Sequence, residues 1–562
     1  MDDIRLTQQS FARKALAEPQ HRFDDLYHLL YRRDWIATAL KSVLDNTGSR
    51  LPGVDGITKK DFEDEVFRQE FVEELRKDIQ SGAYQPQPAR RVWIPKANGK
   101  QRPLGILTMR DRVVQMMLKM MLEPIYESNF LPCSNGFRPG RSTMDCIAAC
   151  YARITTANKF LWVIEGDVRQ CFDRINHKIL LRLLWQRIAD RRIIHLIDSF
   201  LKAGVMEGGL FQTTAEGTPQ GGIVSPLLAN VYLHQFDLWW WKNYGSLHRY
   251  EKERRRNRKQ GNSVLARYAD DFILLCNGTR TEVERLREEV RQFLWDELHL
   301  ELSMEKTQIT HVTDGFDFLG FHIQWKLPKE NKPWLRVTPS QKSVQRLRHT
   351  IKGMTDRRNV NSTPEQKLKA VNRVLRGWIN YYRHVSFKYT ASKLDWWTTD
   401  RFYRWLKKKH DVRARRIMKQ YYIQETTRGH NRKNLGFKDS QGRMLYLFQM
   451  ADIPHSKYRP KTRPNPYLGS EPIPHTDVET PFPEHWDGTM SIENQLWDEA
   501  RKQSLERDNY NCVQCGSQEH VEVHHIQARK DGGSHELSNL ITLCEACHMK
   551  TPNYGRNKGN TG

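Results

Sequence analysis

The sequence predicts a multidomain α+β protein, and three observations carry that prediction. At 562 residues the chain is too long for one hydrophobic core and suits about three to five domains. From about residue 57 to 325, helical and strand-like apolar patterns alternate, whereas residues 341–410 read as helical, basic and aromatic. Past residue 491 the composition shifts: residues 491–562 hold 8 Lys and Arg against 10 Asp and Glu, in a chain whose net charge is +24.

Residues 1–50 read as helices, with apolar spacing at Phe23, Leu26, Leu29 and Leu30 and again at Ile36, Leu40, Val43 and Leu44. The loop-like GSRLPGVDG at 48–56 closes this N-terminal extension. Residues 459–490 carry seven prolines and read as an extended linker or strapping loop. Between the two lies WWWKNYGSLHRYEKERRRNRKQGN at 239–262, in which ERRRNRK (253–259) is expected to be a mobile loop, in contact with RNA or solvated. Residues 401–470 hold 18 Lys and Arg against 4 Asp and Glu, interleaved with Phe402, Tyr403, Trp405, Tyr421 and Tyr422. Such a segment suits phosphate neutralisation and base stacking, and the strongly basic balance of the whole chain points to a polyanionic partner.

Several classes are excluded. A 38% share of hydrophobic residues, with 16 Trp, 20 Tyr and 22 Phe, does not fit a disordered basic protein. No apolar run approaches the ~18 residues of a membrane span. The opening MDDIRLTQQS has no apolar core of a secretory signal and is not an Arg-rich transit peptide, which leans towards a bacterial cytoplasmic protein. Nine cysteines are an odd count for a disulfide framework and suit a reducing compartment.

The segment FLWVIEGDVRQCFD at 160–173 is an apolar, strand-like run that ends in Asp167. In SVLARYADDFILLC at 263–276, apolar runs flank Asp270 and Asp271, which reads as a hairpin with the two carboxylates at its turn. Three converging carboxylates repel one another and raise one another's pKa. Hard divalent cations such as Mg²⁺ relieve this, and two of them can activate a hydroxyl nucleophile and stabilise a leaving pyrophosphate.

Tyr268-Ala269-Asp270-Asp271 resembles the YADD box of reverse transcriptases, with Asp167 as their first catalytic aspartate. TGSRLPGVDGIT (47–58), IPKANGKQRPLGI (94–106), SNGFRPGRST (134–143), EGTPQGGIVSPLLANVYL (216–233), LSMEKTQ (302–308) and FDFLGFHI (316–323) follow in order. With RGWINYYR (376–383), which is similar to the maturase region, they identify the chain as similar to group II intron-encoded reverse transcriptase/maturases over roughly residues 25–415. The resemblance implies a right-hand polymerase of fingers, palm and thumb with a helical maturase region. It also implies residue roles. Asp167 and Asp270 would bind two Mg²⁺ ions, with Asp271 in support. Phe172 would exclude a 2′-hydroxyl. Lys96, Arg102 and Lys306 would face the triphosphate, Gln220 and Gly221-Gly222 would line the dNTP pocket, and Phe318, Leu319 and Gly320 would lie near the primer terminus.

Four of the cysteines form two knuckles, Cys512-x2-Cys515 and Cys544-x2-Cys547, whose spacing suits a tetrahedral structural Zn²⁺. Between and beside them, VEVHHIQARKDGGSHELSNLITLCEACH at 521–548 resembles the HNH nuclease motif. The resemblance implies a small ββα-metal domain. His524 and His548 would ligate Mg²⁺ or a similar ion, His525 would act as general base, and Asn539 would fix a loop and orient that histidine.

The expected domains are an N-terminal extension at 1–56, fingers and palm at 57–325, and a thumb and maturase domain at 326–415. A basic DNA-binding region and linker follow at 416–490, then the nuclease with its zinc at 491–562. The expected partners are group II intron RNA, target DNA and dNTPs, with no membrane and a homodimer left open. The protein would work in the cytoplasm and on the nucleoid during homing. The rival readings are a non-mobile reverse transcriptase, a splicing factor with a non-essential polymerase, and an HNH endonuclease that uses the rest for targeting.

Overall fold

The structure is a computed structural model. It describes residues 2–95, 101–207, 210–212, 217, 221–258, 260–327, 333–356, 361–411, 413–427, 430–439, 441–458, 465–468, 500–501, 503–518, 521–527, 536–548 and 551. The chain is a mixed helix and strand protein of two compact units, Met1–Arg459 with Asn465–Val478, and Pro460–Pro464 with Glu479–Gly562. Among the described residues no helix is long and apolar enough to cross a membrane.

The first unit is organised around a four-stranded sheet in the order 263–268, 271–276, 162–167, 308–311. Its three strands 162–167, 263–268 and 271–276 place apolar residues on both faces, each of which is covered. Ile164, Leu265, Leu274 and Cys276 enter one core, while Val163, Ala266, Ile273 and Leu275 enter another. The first core extends to the helices Arg33–Asp45, Met109–Glu127, Ser225–Trp240 and Arg280–Leu298. The helix Arg280–Leu298 illustrates how sequence sets such an element. Thr279 and Glu282 form a capping box, and Val283, Leu286, Val290, Leu294 and Leu298 are buried at three- and four-residue spacing. His299 then turns left-handed and ends it. The second core runs through the helices Gln341–Met354, Pro364–Tyr382 and Lys388–His410 to Met450.

A second four-stranded sheet has the order 101–106, 89–95, 205–207, 210–212. Within the region read only as basic, the strands Tyr422–Thr427, His430–Lys438 and Met444–Tyr446 form an antiparallel sheet. Of the proline-rich stretch, residues 465–468 are described, and they pack on the first unit. Asn465 Nδ2 donates to Ser128 Oγ at 2.8 Å, and the Tyr467 hydroxyl donates to Glu123 Oε2 at 2.6 Å.

Two expectations are corrected. The loop expected at 253–259 is helical through Asn257: Trp239 and Trp240 end one helix, a π-helical turn spans Trp241–Gly245, and Arg249–Asn257 forms the next helix. Unbranched Arg, Lys and Glu side chains favour a helix even at high charge density. His248 caps this one through Nδ1, which accepts from Tyr250 N at 3.3 Å, and Arg255 lies 5.2 Å from the Tyr244 ring centroid. The hairpin expected to carry two carboxylates at its turn is also offset by one residue. Tyr268 pairs with Asp271, so its two-residue turn is Ala269-Asp270, and Asp271 opens the second strand.

In the second unit, Val521–His525 pairs antiparallel with Leu540–Cys544, and a short helix Glu545–His548 follows. Among its described residues the apolar clusters are small, one of Ala500, Val523 and Leu540 and one of Cys512, Leu543 and Cys544.

Candidate metal sites

The register of the central sheet brings the three aspartates of the first unit to one end. Asp167, the last residue of its strand, is the direct cross-strand partner of Asp271, and Asp270 occupies the adjoining turn. Burial, followed by the charges of Asp270 and Asp167, pushes the Asp271 carboxyl up to about 6, with Lys306 opposing. Lys306 Nζ donates to Asp167 Oδ2 at 2.9 Å, and the Ser303 amide donates to the Asp167 carbonyl at 2.8 Å. The predicted LSMEKTQ box therefore meets the first aspartate directly. A cluster of three adjoining carboxylates fits hard divalent cations.

Phe172 is half-buried and meets Phe137 edge-on with ring centroids 6.2 Å apart. Gly221 has φ +114°, and a Cβ there would lie 2.3 Å from the Gly105 carbonyl oxygen. Its freedom thus serves a close approach to the strand Gln101–Ile106, on which Arg102 pairs with Ile94. Lys96 and Gln220 lie outside the described residues.

Leu319 and Gly320 form a two-residue turn with φ +49° and +80° between Phe318 and Phe321. The tyrosines of the RGWINYYR box hold it. Tyr381 donates to the Leu319 carbonyl at 2.8 Å, Tyr382 donates to the Gly320 carbonyl at 3.0 Å, and Tyr381 stacks on Phe321. A cleft of about 660 Å³ opens beside this turn, lined by Lys342, Arg346, Arg373 and Trp378. Cations and an aromatic ring around such a space suit a nucleic-acid backbone. These links between sequence boxes were not foreseen, since pairing of a tyrosine with a distant turn leaves no local signature.

In the second unit the Sγ atoms of Cys512, Cys515, Cys544 and Cys547 all lie within 4.8 Å of one another. Zinc–sulfur bonds of about 2.3 Å set tetrahedral sulfurs roughly 3.8 Å apart, so the four thiols fit one Zn²⁺. Burial opposes ionisation of Cys512, yet amides including those of Cys544 and Cys515 bring its thiol down to about 6. The five other cysteines are buried, and burial pushes those of Cys146 and Cys276 up to about 12.

His524 and His525 lie on the first strand of the pair, opposite Ile541 and Leu540. His548 Nε2 is 3.0 Å from His524 Nδ1, and burial, with His548 nearby, lowers the His524 pKa. Two imidazole nitrogens at this separation fit a shared divalent ion. Asn539 clamps the chain that leaves the histidine strand: its Oδ1 accepts from the Gln527 amide at 2.8 Å and its Nδ2 donates to the Gln527 carbonyl at 3.2 Å. Sequence reasoning missed Glu522, whose Oε2 lies 3.2 Å from His548 Nδ1; its place two residues before the His-His pair was the available signal.

Comparison with known proteins agrees with this geometry. Residues 94–323 match the family model described as reverse transcriptase (RNA-dependent DNA polymerase). Residues 344–422 match the group II intron, maturase-specific domain, and residues 512–553 match HNH endonuclease. The chain is 41% identical over 335 residues to protein YkfC of Escherichia coli (strain K12), covering 56% of this chain and 87% of that one. It is 34% identical over 352 residues to the group II intron-encoded protein LtrA of Lactococcus lactis subsp. cremoris, covering 54% of this chain and 57% of that one. A 28% identity over 591 residues extends to an uncharacterized 91 kDa protein in cob intron of Schizosaccharomyces pombe, covering 93% of this chain and 68% of that one.

Proposed function

The chain belongs to the group II intron-encoded proteins with reverse transcriptase, maturase and HNH endonuclease domains, and from that premise we propose that it is the protein of a mobile intron. It binds its intron RNA, assists splicing, and copies that RNA into DNA from a primer that its nuclease creates in the target. The observation that carries this reading is the pairing of Asp167 with Asp271 beside the Asp270 turn, in a chain that also holds a four-thiol, two-imidazole module.

In the polymerase the fingers, palm and thumb correspond to residues 57–325 and 326–415, behind the extension at 1–56. Asp167 and Asp270, with Asp271, would hold two Mg²⁺ ions, which supply hydroxyl activation and charge neutralisation at the transferring phosphate. Phe172 sets the sugar preference by excluding a 2′-hydroxyl. Lys96, Arg102 and Lys306 bind the triphosphate, and Gln220 and Gly221 border the base. Lys306, paired with Asp167 before substrate arrives, is placed to exchange that partner for a phosphate.

The basic region 416–490 binds DNA and the module at 491–562 cuts it. Cys512, Cys515, Cys544 and Cys547 hold structural Zn²⁺. His524 and His548 would bind the divalent ion that offsets charge on the scissile phosphate. His525 takes the proton from the attacking water, and Asn539 fixes the backbone that orients it.

Primer extension on an RNA template with dNTPs and Mg²⁺ tests the reading. The wild type extends the primer, and Asp270→Ala abolishes extension while RNA affinity stays within about twofold. A folded wild type that extends nothing would overturn the polymerase assignment. Equal loss of RNA binding in a folded Asp270→Ala protein would overturn the separation of the two roles.

A further inference from the structure

One buried ion pair in the first unit is unexplained by the metal chemistry. Arg267, next to the YADD turn, is 1% exposed, and its partner Asp237, on the helix Ser225–Trp240, is fully buried. All five guanidinium N–H groups have work to do. Nε donates to Asp237 Oδ1 at 2.8 Å and Nη2 to Asp237 Oδ2 at 2.5 Å, a two-pronged pairing. Nη2 also donates to Ser134 Oγ at 2.7 Å, and Nη1 donates to Asn230 Oδ1 at 3.2 Å and to the Ala269 carbonyl at 2.8 Å.

We propose that Arg267 is a positioning residue for the polymerase reaction, holding by the Ala269 carbonyl the turn that presents Asp270, with Asp237 as the counter-charge that permits a guanidinium there. This rests on the polymerase reading above. Three observations carry it. First, a buried ion pair is poor value as a source of stability, because desolvating two charges roughly cancels their attraction and apolar residues of similar size do as well. Second, the group it holds needs holding. Ala269 has φ +58°, a left-handed conformation that is strained for a non-glycine residue and persists only where its surroundings impose it.

Third, the turn is clamped from the other side as well. A Cβ on Gly136 would lie 2.2 Å from the Ala269 nitrogen and 2.8 Å from the Tyr268 carbonyl carbon, so only glycine lets this backbone press against the turn. Asn230 ties that glycine into the same network, its Nδ2 donating to the Gly136 carbonyl at 2.8 Å. The backbone of Arg267 joins it too, its amide donating to the Cys133 carbonyl at 2.8 Å and its carbonyl accepting from Asn135 at 2.9 Å. The SNGFRPG, SPLLANVYL and YADD boxes thus meet in one buried cluster beneath the catalytic turn. A lysine offers three rotatable donors in place of a rigid fork and cannot make this set of bonds.

The test uses the full-length protein and two variants, Arg267→Lys and the paired Arg267→Met with Asp237→Leu. The paired change removes both charges, so it keeps the melting temperature near that of the wild type; Arg267→Lys keeps the charge opposite Asp237 and serves if the paired variant does not fold. Hydrogen exchange of the peptide spanning 268–273 is read by mass spectrometry without primer or nucleotide, and the half-saturating Mg²⁺ concentration is read from primer extension. The inference requires exchange in that peptide to speed up at least tenfold while other palm peptides keep wild-type rates, and the Mg²⁺ requirement to rise about 10- to 100-fold. Wild-type exchange and wild-type Mg²⁺ dependence in a folded variant would reduce the pair to a structural feature and overturn the proposal. A wild type that extends no primer would defeat the polymerase reading, while the exchange comparison would still decide whether the clamp exists.

Discussion

The carboxylates of the first unit stand on a sheet with a core on each face, whereas the imidazoles of the second stand on a two-stranded ribbon over a handful of apolar residues. In the first unit the protein fold precedes the metal. The strands, the clamped turn and the Asp167–Asp271 register depend on apolar burial, and the cations would only complete the site. In the second unit the order reverses. Among its described residues the two apolar clusters are small, and four thiols converge within 4.8 Å of one another. A module of this size would depend on bound zinc for folding, because metal binding free energy is folding free energy there.

The largest expected effect breaks the two units apart. Structural zinc is worth about 10–16 kcal/mol to small modules of this kind, more than such a module's whole stability. Cys544→Ser should therefore unfold the second unit, seen as rapid proteolysis of residues beyond 500 and complete loss of nicking. Primer extension on a supplied primer should stay within about twofold of wild type. A parallel loss of extension would show that the first unit's fold also depends on the thiolate site.

A more local change sharpens the same contrast within the second unit. His525→Ala removes the proposed general base but none of the zinc thiols. Nicking by the assembled ribonucleoprotein should fall by about 10²- to 10⁴-fold with zinc content unchanged by elemental analysis. Wild-type nicking would move the base to another group, and lost zinc would make the histidine part of the module's scaffold.

The units also differed in how much of them could be read from sequence. The thiol knuckles were legible because ligand chemistry fixes both residue type and spacing over a short stretch, and the structure brings the four Sγ atoms within 4.8 Å of one another. In the first unit the apolar runs around Asp167 and Asp270 were legible as strands, since a sheet covered on both faces writes itself as unbroken hydrophobicity. The exact turn was not, because its register depends on Asp167 and Gly136, which are distant in sequence. Nor was the helix Arg249–Asn257, whose charge density resembles a solvated loop although its residue types favour a helix. The Arg267–Asp237 pair was invisible for the same reason as the Tyr381–Leu319 bond: long-range partners leave no periodicity behind.

The smallest effect concerns how each unit meets acid. Asp111 sits in the first core, where Tyr84 donates to its Oδ1 at 2.5 Å and the Gln87 amide donates to its Oδ2 at 3.2 Å. Burial nonetheless dominates and pushes its carboxyl up to about 6 from an ordinary value near 3.8. The folded state thus favours the protonated form. Its contribution is fully present below the ordinary carboxylate range and is lost as pH rises through about 6, amounting to roughly 2–3 kcal/mol at neutrality. Asp111→Asn cannot titrate, so its melting temperature should gain on the wild type as pH goes from 4 to 7. A pH-independent difference would mean that the donors from Tyr84 and Gln87 hold Asp111 ionised. Thiolate coordination runs the other way, since protons compete with zinc for sulfur as pH falls. Between pH 7 and 5, then, this buried group strengthens the first unit while the second weakens, and the gap between the two melting transitions should widen.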